Sequence, residues 1–317
     1  MALEVPKTAY SGRIKEIKLG SGEKAVTVGG ETSYPFHLFE GEMPRLPRIA
    51  MEVWDMPPQD WAPAALEPFK GVTDDPVAWA KKCIDDYGAE MICLQLISTD
   101  PNGLDRSADE ATQVVKKVAD AVDVPLIVWG TANHDKDTEV LRQVAEVCQG
   151  KKLIIGPLEE GDYKKIGAAA IGYHHTVGAS TPIDINLAKQ LNILLGNLGV
   201  SDELIIMDPT VSCIGYGIEY CYSVMERTRM AGLTQQDEKL QFPLICNISK
   251  EAWKTKEVHI PTAEDPKLGD AKKRGILLEA MSAMVLLLAG GDVMVMRHPE
   301  AIKLVREMIA ELTASGK

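Results

Sequence analysis

The chain has 317 residues, 45% hydrophobic and 25% charged, which is enough for one large globular domain or two ordinary ones. Its formal net charge of -12 argues against nucleic acid as a partner, because phosphate backbones require a concentrated positive face. The most apolar window, 276–296, is interrupted by Glu279 and Asp292, so we expect no membrane span, no secretory signal and a cytoplasmic location.

The first 48 residues precede a repeating pattern and do not share it. Residues 13–19 and 24–28 are separated by a Gly-Ser-Gly turn, which predicts a small β-hairpin. A segment dense in aromatic residues, 34–39, then leads into the repeat. We interpret this extension as a plug under the floor of the following domain, and favour that over an arm that binds a ligand.

From residue 49 onward, short apolar runs alternate with helical patterns. Asp75 and Ser107 are predicted to cap helices, with Pro76 at the first helical position of its helix. The predicted strands are 49–55, 91–97, 125–130, 153–157, 176–180, 204–209, 243–248 and 293–297. The predicted helices begin near Pro76 and Ser107, run through 140–147, 166–170, 182–198, 216–230 and 272–288, and end with one that opens at Pro299.

Eight strand–helix units between residues 49 and 317 match the size of a (β/α)8 barrel. The near-continuous apolar strands are typical of a parallel sheet that is buried on both faces. An open doubly wound sheet is the alternative, but it would use fewer units, and no G-x-G-x-x-G follows the first strand. We predict an α/β protein with a TIM barrel at 49–317 and an N-terminal β-hairpin extension at 1–48.

Barrels of this kind carry function on the loops after the strands. The strand ends offer mostly hydroxyl, amide and carboxyl groups: Asp55, Ser98, Thr99, Asp100, Asn102, Thr131, Asn133, His134, Glu159, Ser180, Asp208, Thr210, Asn247, Ser249, Arg297 and His298. Hydroxyls and amides hydrogen-bond a neutral, amide-bearing or heterocyclic ligand better than they transfer protons. Each residue alone is equally consistent with a helix cap or a turn. The prediction of a binding site therefore rests on their common position at one end of the barrel.

Several other chemistries are disfavoured by the sequence. None of the eight strands holds a lysine for a Schiff base, and Gly290 with Gly291 is better explained as a helix terminator. His174 and His175 are adjacent, so a strand directs them to opposite sides, which disfavours a shared metal. The six cysteines form no C-x-x-C pair, and we expect reduced thiols without zinc or an iron–sulfur cluster.

Two loops stand out by length or composition. Residues 250–270 form a polar segment longer than a compact domain usually contains without a use. Residues 208–217 combine an acidic strand end with two glycines before a helix. A lid, a ligand rim or a docking surface would explain both loops, and plain surface excursions would explain them equally well.

Longer strings of the sequence resemble a known family. They are 36–42 (FHLFEGE), 184–194 (DINLAKQLNIL), 215–220 (GYGIEY), 225–229 (MERTR), 274–280 (RGILLEA) and 296–301 (MRHPEA). These strings are similar to the small, or delta, subunits of the corrinoid/iron–sulfur protein of the acetyl-CoA decarbonylase/synthase system. The similarity extends over nearly the whole chain, including the extension.

The resemblance implies a methyl-carrier subunit of the reductive acetyl-CoA pathway of carbon fixation in an anaerobe. It implies a heterodimer in which a larger subunit supplies a four-iron cluster and a corrinoid-binding domain, with the cobamide and its cobalt held between that domain and the barrel mouth. It also implies two further partners, a methyltetrahydrofolate:corrinoid methyltransferase and acetyl-CoA synthase.

The predicted cobamide contacts are eight residues near the mouth: Asp100, Asn102, Thr131, Asn133, His134, Asp208, Tyr216 and Asn247. No D-x-H-x-x-G motif is present, so we expect no axial ligand to cobalt, no metal ligand and no catalytic residue from this chain. The barrel also resembles the pterin-dependent methyltransferases, because Asn133, Asp208 and Asn247 occupy strand ends where that group uses Asn and Asp. A free-standing pterin-dependent methyltransferase and an architectural subunit with a filled mouth remain as alternatives.

Overall fold

The computed structural model describes residues 5–314, which form a parallel barrel and a small hairpin. The hairpin pairs β1 (Ile17–Leu19) with antiparallel β2 (Val26–Val28). The barrel strands are β3 (Arg48–Trp54), β4 (Met91–Gln95), β5 (Leu126–Trp129), β6 (Ile154–Leu158), β7 (Thr176–Ser180), β8 (Ile205–Asp208), β9 (Ile245–Asn247) and β10 (Val293–Met296). They are ordered β8-β7-β6-β5-β4-β3-β10-β9, and a parallel bridge between Met207 and Leu244 joins the two ends. The predicted barrel with its hairpin extension is confirmed.

Helices follow the strands and cover the outside of the barrel. They are α1 (Pro63–Leu66), α2 (Pro76–Asp85), α3 (Ala108–Ala121), α4 (His134–Val147), α5 (Tyr163–Tyr173), α6 (Ile185–Leu198), α7 (Ile218–Thr234), α8 (Ile248–Trp253), α9 (Lys256–His259), α10 (Ala271–Leu288) and α11 (Pro299–Ala314). Asp75 caps α2 and Ser107 forms a capping box with Glu110 on α3, as their sequence positions predict. In the described part of the chain, no helix is both long and apolar enough to cross a membrane.

The strands are buried on both faces, which explains their continuous apolar runs. Trp129 of β5 fills part of the barrel interior because the next two strands along the sheet, β6 and β7, carry glycines. A Cβ atom on Gly156 or Gly178 would lie 2.8 or 2.7 Å from the Trp129 ring, so a larger residue at either position would displace the indole. The Trp129 ring therefore occupies the space that side chains at positions 156 and 178 would otherwise fill.

The extension packs against the floor of the barrel, where the strands begin. Ile17 and Leu19 of the hairpin are buried in the main core. The backbone N–H of Lys15 donates to the Gln241 carbonyl at 2.8 Å, ahead of β9. Glu31 is buried beside Asp292 and Arg229, and burial, followed by the Asp292 charge, raises the pKa of Glu31 to about 8. This arrangement agrees with a plug.

Two sequence expectations differ from the structure. Residues 250–270 include the rest of α8 and all of α9, and Arg274 anchors them by donating to the Ile260 and Gly269 carbonyls at 2.9 Å each. The sequence did not indicate these helices, because helices this short within a polar segment show no clear periodicity of apolar residues. Cys213 and Cys221 form a disulfide rather than free thiols, a pairing that their spacing did not indicate.

Candidate ligand-binding site at the barrel mouth

Two adjoining cavities of about 130 and 240 Å³ open at the carboxyl ends of the strands. Thr131 and Lys250 line both cavities, and we call the two adjoining cavities together the mouth. The first is also lined by Trp129, Glu159, Ser180, Asp208, Thr210 and Asn247, and the second by Trp54, Trp61, Asp100, Trp253, His259 and Arg297. The mouth is therefore open at these two cavities.

Asp208 ends β8 and forms the buried acidic wall of the first cavity. Its carboxyl accepts hydrogen bonds from the Ser180 hydroxyl at 2.8 Å and the Thr210 backbone N–H at 2.9 Å. Burial raises the pKa of Asp208 to about 6, and the two hydrogen bonds oppose that rise. Near neutral pH this carboxyl can therefore either donate or accept a hydrogen bond toward a ligand.

Asn247 ends β9 and lines the same cavity. Its Oδ1 accepts a hydrogen bond at 3.0 Å from Nε2 of Gln95, which ends β4 across the barrel. This bond orients the Asn247 side chain and leaves its amide N–H groups for another acceptor. The pair gives the mouth an amide whose direction is fixed before a ligand arrives.

The loop after β5 is held by a buried carboxyl. Asp137 of α4 accepts from the backbone N–H groups of Thr131 at 3.0 Å and Ala132 at 2.8 Å, and from the Thr131 hydroxyl at 3.3 Å. Gly130 permits this approach, because a Cβ atom there would lie 2.4 Å from the carboxyl. Burial raises the pKa of Asp137 to about 6 despite these hydrogen bonds.

A histidine and two carboxyls form the rim above β6. Nδ1 of His134 lies 3.2 Å from Asp162 Oδ2, and its Nε2 lies 3.7 Å from Glu159 Oε2. The hydrogen bond to Asp162 raises the pKa of His134, while burial raises the pKa of both carboxyls. Only Glu159 of these three lines a cavity, so the cluster shapes the rim from outside.

Arg297 crosses the second cavity as part of a buried ion pair. Its Nε donates to Glu52 of β3 at 2.6 Å, and its guanidinium lies 3.6 Å from the centre of the Trp61 ring. The backbone N–H groups of Arg297 and His298 both donate to the buried Glu279 carboxyl. Burial raises the pKa of Glu279 to about 7 and lowers that of His298 to about 4. The cationic group is thus held rigidly at the mouth.

Comparison with known proteins assigns the chain to a family. The profile of the CO dehydrogenase/acetyl-CoA synthase delta subunit matches residues 16–313. The chain belongs to this delta-subunit family. The acetyl-CoA decarbonylase/synthase complex subunit delta of Archaeoglobus fulgidus is 38% identical over 318 residues, covering 96% of this chain and 70% of the relative. Subunit delta 1 of Methanosarcina thermophila is 38% identical over 93% of this chain and 68% of its own. These relatives are subunits of one multi-subunit complex, and the family resemblance is confirmed.

Solved structures with a similar fold are dihydropteroate synthases. The Xanthomonas albilineans enzyme with 4-aminobenzoic acid has a TM-score of 0.60 at 11% identity, over 95% of this chain and 98% of the other. The Thermus thermophilus enzyme in complex with 6HMPPP has a TM-score of 0.54 at 14% identity, over 94% and 99%. At these identities the likeness establishes that this delta-subunit family member shares their barrel, and no more.

The eight residues predicted as cofactor contacts divide into two sets of four. Asp100, Thr131, Asp208 and Asn247 line the two cavities. The other four, Asn102, Asn133, His134 and Tyr216, line neither cavity. Asn102 donates to Asp100, Asn133 caps α4 and His134 contacts Asp162, whereas Tyr216 is 79% exposed after β8.

Sequence reasoning missed several residues of the mouth in this family member. Glu52 and Gln95, which hold Arg297 and Asn247 of the mouth, lie inside apolar strands, and a polar residue in such a run was the available signal. Trp54 and Trp61 line the second cavity, but their aromatic character gave no indication of an open site. Lys250 reaches both cavities because α8 begins directly after β9.

Proposed function

We propose that this chain covers a cobamide at its interface with a larger corrinoid/iron–sulfur subunit, within a complex that carries methyl groups. The observation that carries the proposal is the open mouth with its fixed amide, hydroxyl and carboxyl groups. Its two cavities, about 130 and 240 Å³, are each below the roughly 300 Å³ at which pockets begin to enclose a drug-sized ligand. A corrin ring would therefore lie over the mouth, and a second protein would cover its other face.

The donor set suits the periphery of a corrin, which carries amide side chains. Asn247 offers amide N–H groups, Thr131 offers a hydroxyl, and Lys250, which lines both cavities, offers an ammonium group. Asp208 accepts from an amide N–H when ionised and donates to an amide carbonyl when protonated, and both states occur near its pKa of about 6. These residues, together with Asp100, are the contacts we propose on this chain.

A bound cobamide would supply the cobalt that carries the methyl group, and the protein would supply orientation and exclusion of water. The larger subunit would hold the four-iron cluster, a methyltetrahydrofolate:corrinoid methyltransferase would be the donor, and acetyl-CoA synthase the acceptor. We assign no catalytic residue to this chain. The free-standing pterin-dependent methyltransferase is less well supported, because the relatives at 38% identity are complex subunits.

The test is an anaerobic absorbance spectrum of this chain, purified alone and together with its larger partner, after cobamide is added and the excess removed. We expect corrin bands only in the presence of the partner. Equal bands from the lone chain would refute the shared site, and bands in neither sample would refute cobamide binding altogether. Tight binding of methyltetrahydrofolate by the lone chain would favour the pterin enzyme instead.

Two variants test whether any cobamide that the complex retains is bound at the mouth. Asn247→Ala should lower the cobamide affinity of the complex about tenfold, since it removes a hydrogen-bonding amide and leaves Gln95 without its partner. Asn197→Ala is the matched control, because Asn197 is an exposed amide near the far end of α6. Equal retention by both variants would show that the mouth does not contact the cofactor.

A further inference from the structure

A broad groove of about 700 Å³ lies at the opposite end of the molecule from the mouth. The hairpin forms one wall with Glu16 and Lys18, and the turns before β6 and β7 form the other with Lys152, Tyr173 and His174. This volume lies within the range of about 300–1,000 Å³ that is usual for small-molecule sites. The floor therefore has room for a ligand that the mouth of this chain alone lacks.

The hairpin makes this wall because its side chains alternate between two faces. Ile17 and Leu19 are buried in the core, whereas Lys18 between them is exposed and lines the groove. The same strand thus plugs the floor with its apolar face and presents a charge with the other. The extension therefore has an exposed surface, on the Lys18 side of β1, that takes no part in packing against the floor.

The groove lining carries two lysines and two glutamates. Lys18 and Lys152 form no ion pair with any residue in the described part of the chain, although the net charge is -12. Glu16 is already bound by Arg13 at 3.0 Å and by Arg45 at 3.1 Å. Glu203 is the remaining acidic side chain of the lining. An anion would meet two unpaired ammonium groups there.

The wall opposite the hairpin is held in an uncommon backbone conformation. Lys152 and His174 have φ values of 51° and 59°, in the left-handed region that side chains rarely adopt. The next residue along, His175, fixes this wall, since its Nδ1 accepts from the Leu153 N–H at 3.0 Å and its Nε2 contacts the Ala145 carbonyl at 2.8 Å. His174 is the left-handed C-cap of α5, and these two conformations set the positions of two lining residues.

We propose that this groove binds a small phosphate-bearing molecule with a flat ring, of the class of nucleoside monophosphates. Lys18 and Lys152 would hold the phosphate, and the half-buried ring of Tyr173 would stack on the base. The site is independent of the barrel mouth and of the function proposed for it. It gives the N-terminal extension a role in binding as well as in packing.

Calorimetric titration of the full chain at low salt with adenosine monophosphate, adenosine and inorganic phosphate tests the proposal. We expect the monophosphate to bind at least about tenfold more tightly than either fragment, since only it engages both the lysines and the tyrosine. Its affinity should fall as salt is added. Absence of heat up to millimolar monophosphate, or binding of phosphate alone as tightly, would overturn the assignment.

Variants with opposite expected signs exclude a general charge effect. Lys18→Ala and Lys152→Ala should each weaken monophosphate binding about fivefold, whereas Glu203→Gln should tighten it by removing a negative charge. Lys117→Ala on the exposed face of α3 is the control and should change nothing. All four residues are exposed, so folding is preserved. Equal affinity of the Lys18→Ala, Lys152→Ala and control variants would overturn the proposal.

Discussion

At the mouth of the barrel, the buried carboxyls of Asp208 and Asp137 are held by hydroxyl and backbone N–H donors, whereas at the floor Asp292 is paired with the guanidinium of Arg229. Arg229 also donates to the Phe242 carbonyl at 3.0 Å and to the Gly290 carbonyl. A buried carboxyl without a cation is costly, and burial accordingly raises its pKa. The Asp292–Arg229 pair closes the floor with a neutralised charge, whereas Asp208 lines the first cavity as a titratable group available to a ligand.

The largest predicted effect comes from breaking the floor pair. Arg229→Met should lower the free energy of unfolding by about 3–5 kcal/mol, because Asp292 is left buried without its cation and two backbone carbonyls lose their donor. Urea denaturation followed by far-ultraviolet circular dichroism measures this. The exposed Arg13→Met is the control, with an expected change within about 0.5 kcal/mol. Similar losses in the two variants would mean that the floor pair does not close the barrel.

A smaller effect, specific to the mouth, should appear as a dependence on pH. Asp208 has an ordinary pKa of 3.8 that burial raises to about 6, so the folded protein binds this proton more tightly than the unfolded chain. The stability from the protonated form is present below about pH 4 and is lost as the pH rises through 6. Relative to Asp208→Asn, the wild type should therefore lose up to about 3 kcal/mol between pH 4 and 7.5.

Urea denaturation of both proteins across this pH range measures that difference. Asparagine keeps an acceptor for the Thr210 N–H and cannot ionise, which makes the variant a close neutral analogue. Asp85→Asn, at an exposed position of α2, is the reference for the loss of one surface carboxyl and is measured over the same pH range. A constant difference for Asp208→Asn would show that folding does not raise the pKa of this carboxyl.

The sequence was sufficient for the barrel because the barrel depends on local patterns. Continuous apolar runs mark strands buried on both faces, and Asp75 and Ser107 start their helices where capping predicts. The hairpin was also predictable, from its Gly-Ser-Gly turn and two short β-rich runs. The exposed surface of the hairpin beside Lys18 could not be predicted as part of a groove, because the other wall of that groove consists of the turns before β6 and β7.

The site was predicted less completely because strand ends identify a face of the barrel but not which side chains point into a cavity. Asn133 and Asn247 both follow strands, yet Asn133 accepts from the Lys136 N–H as a helix cap, whereas Asn247 lines the mouth. The distinction depends on where α4 begins. Gln95 shows the converse, since its contact with Asn247 spans 152 positions of sequence and no local pattern records it.

Asn133→Ala has the smallest expected effect, and it distinguishes a helix-capping role of Asn133 from a contact with the cofactor. It should lower the free energy of unfolding by about 1 kcal/mol through loss of the 3.1 Å cap to Lys136, and leave cobamide retention by the complex unchanged. Asn133→Ser should restore most of the stability, because serine also caps helices. If Asn133→Ala instead lowered cobamide affinity as much as Asn247→Ala, the cofactor would extend beyond the two cavities over the start of α4, and the sequence prediction for Asn133 would hold.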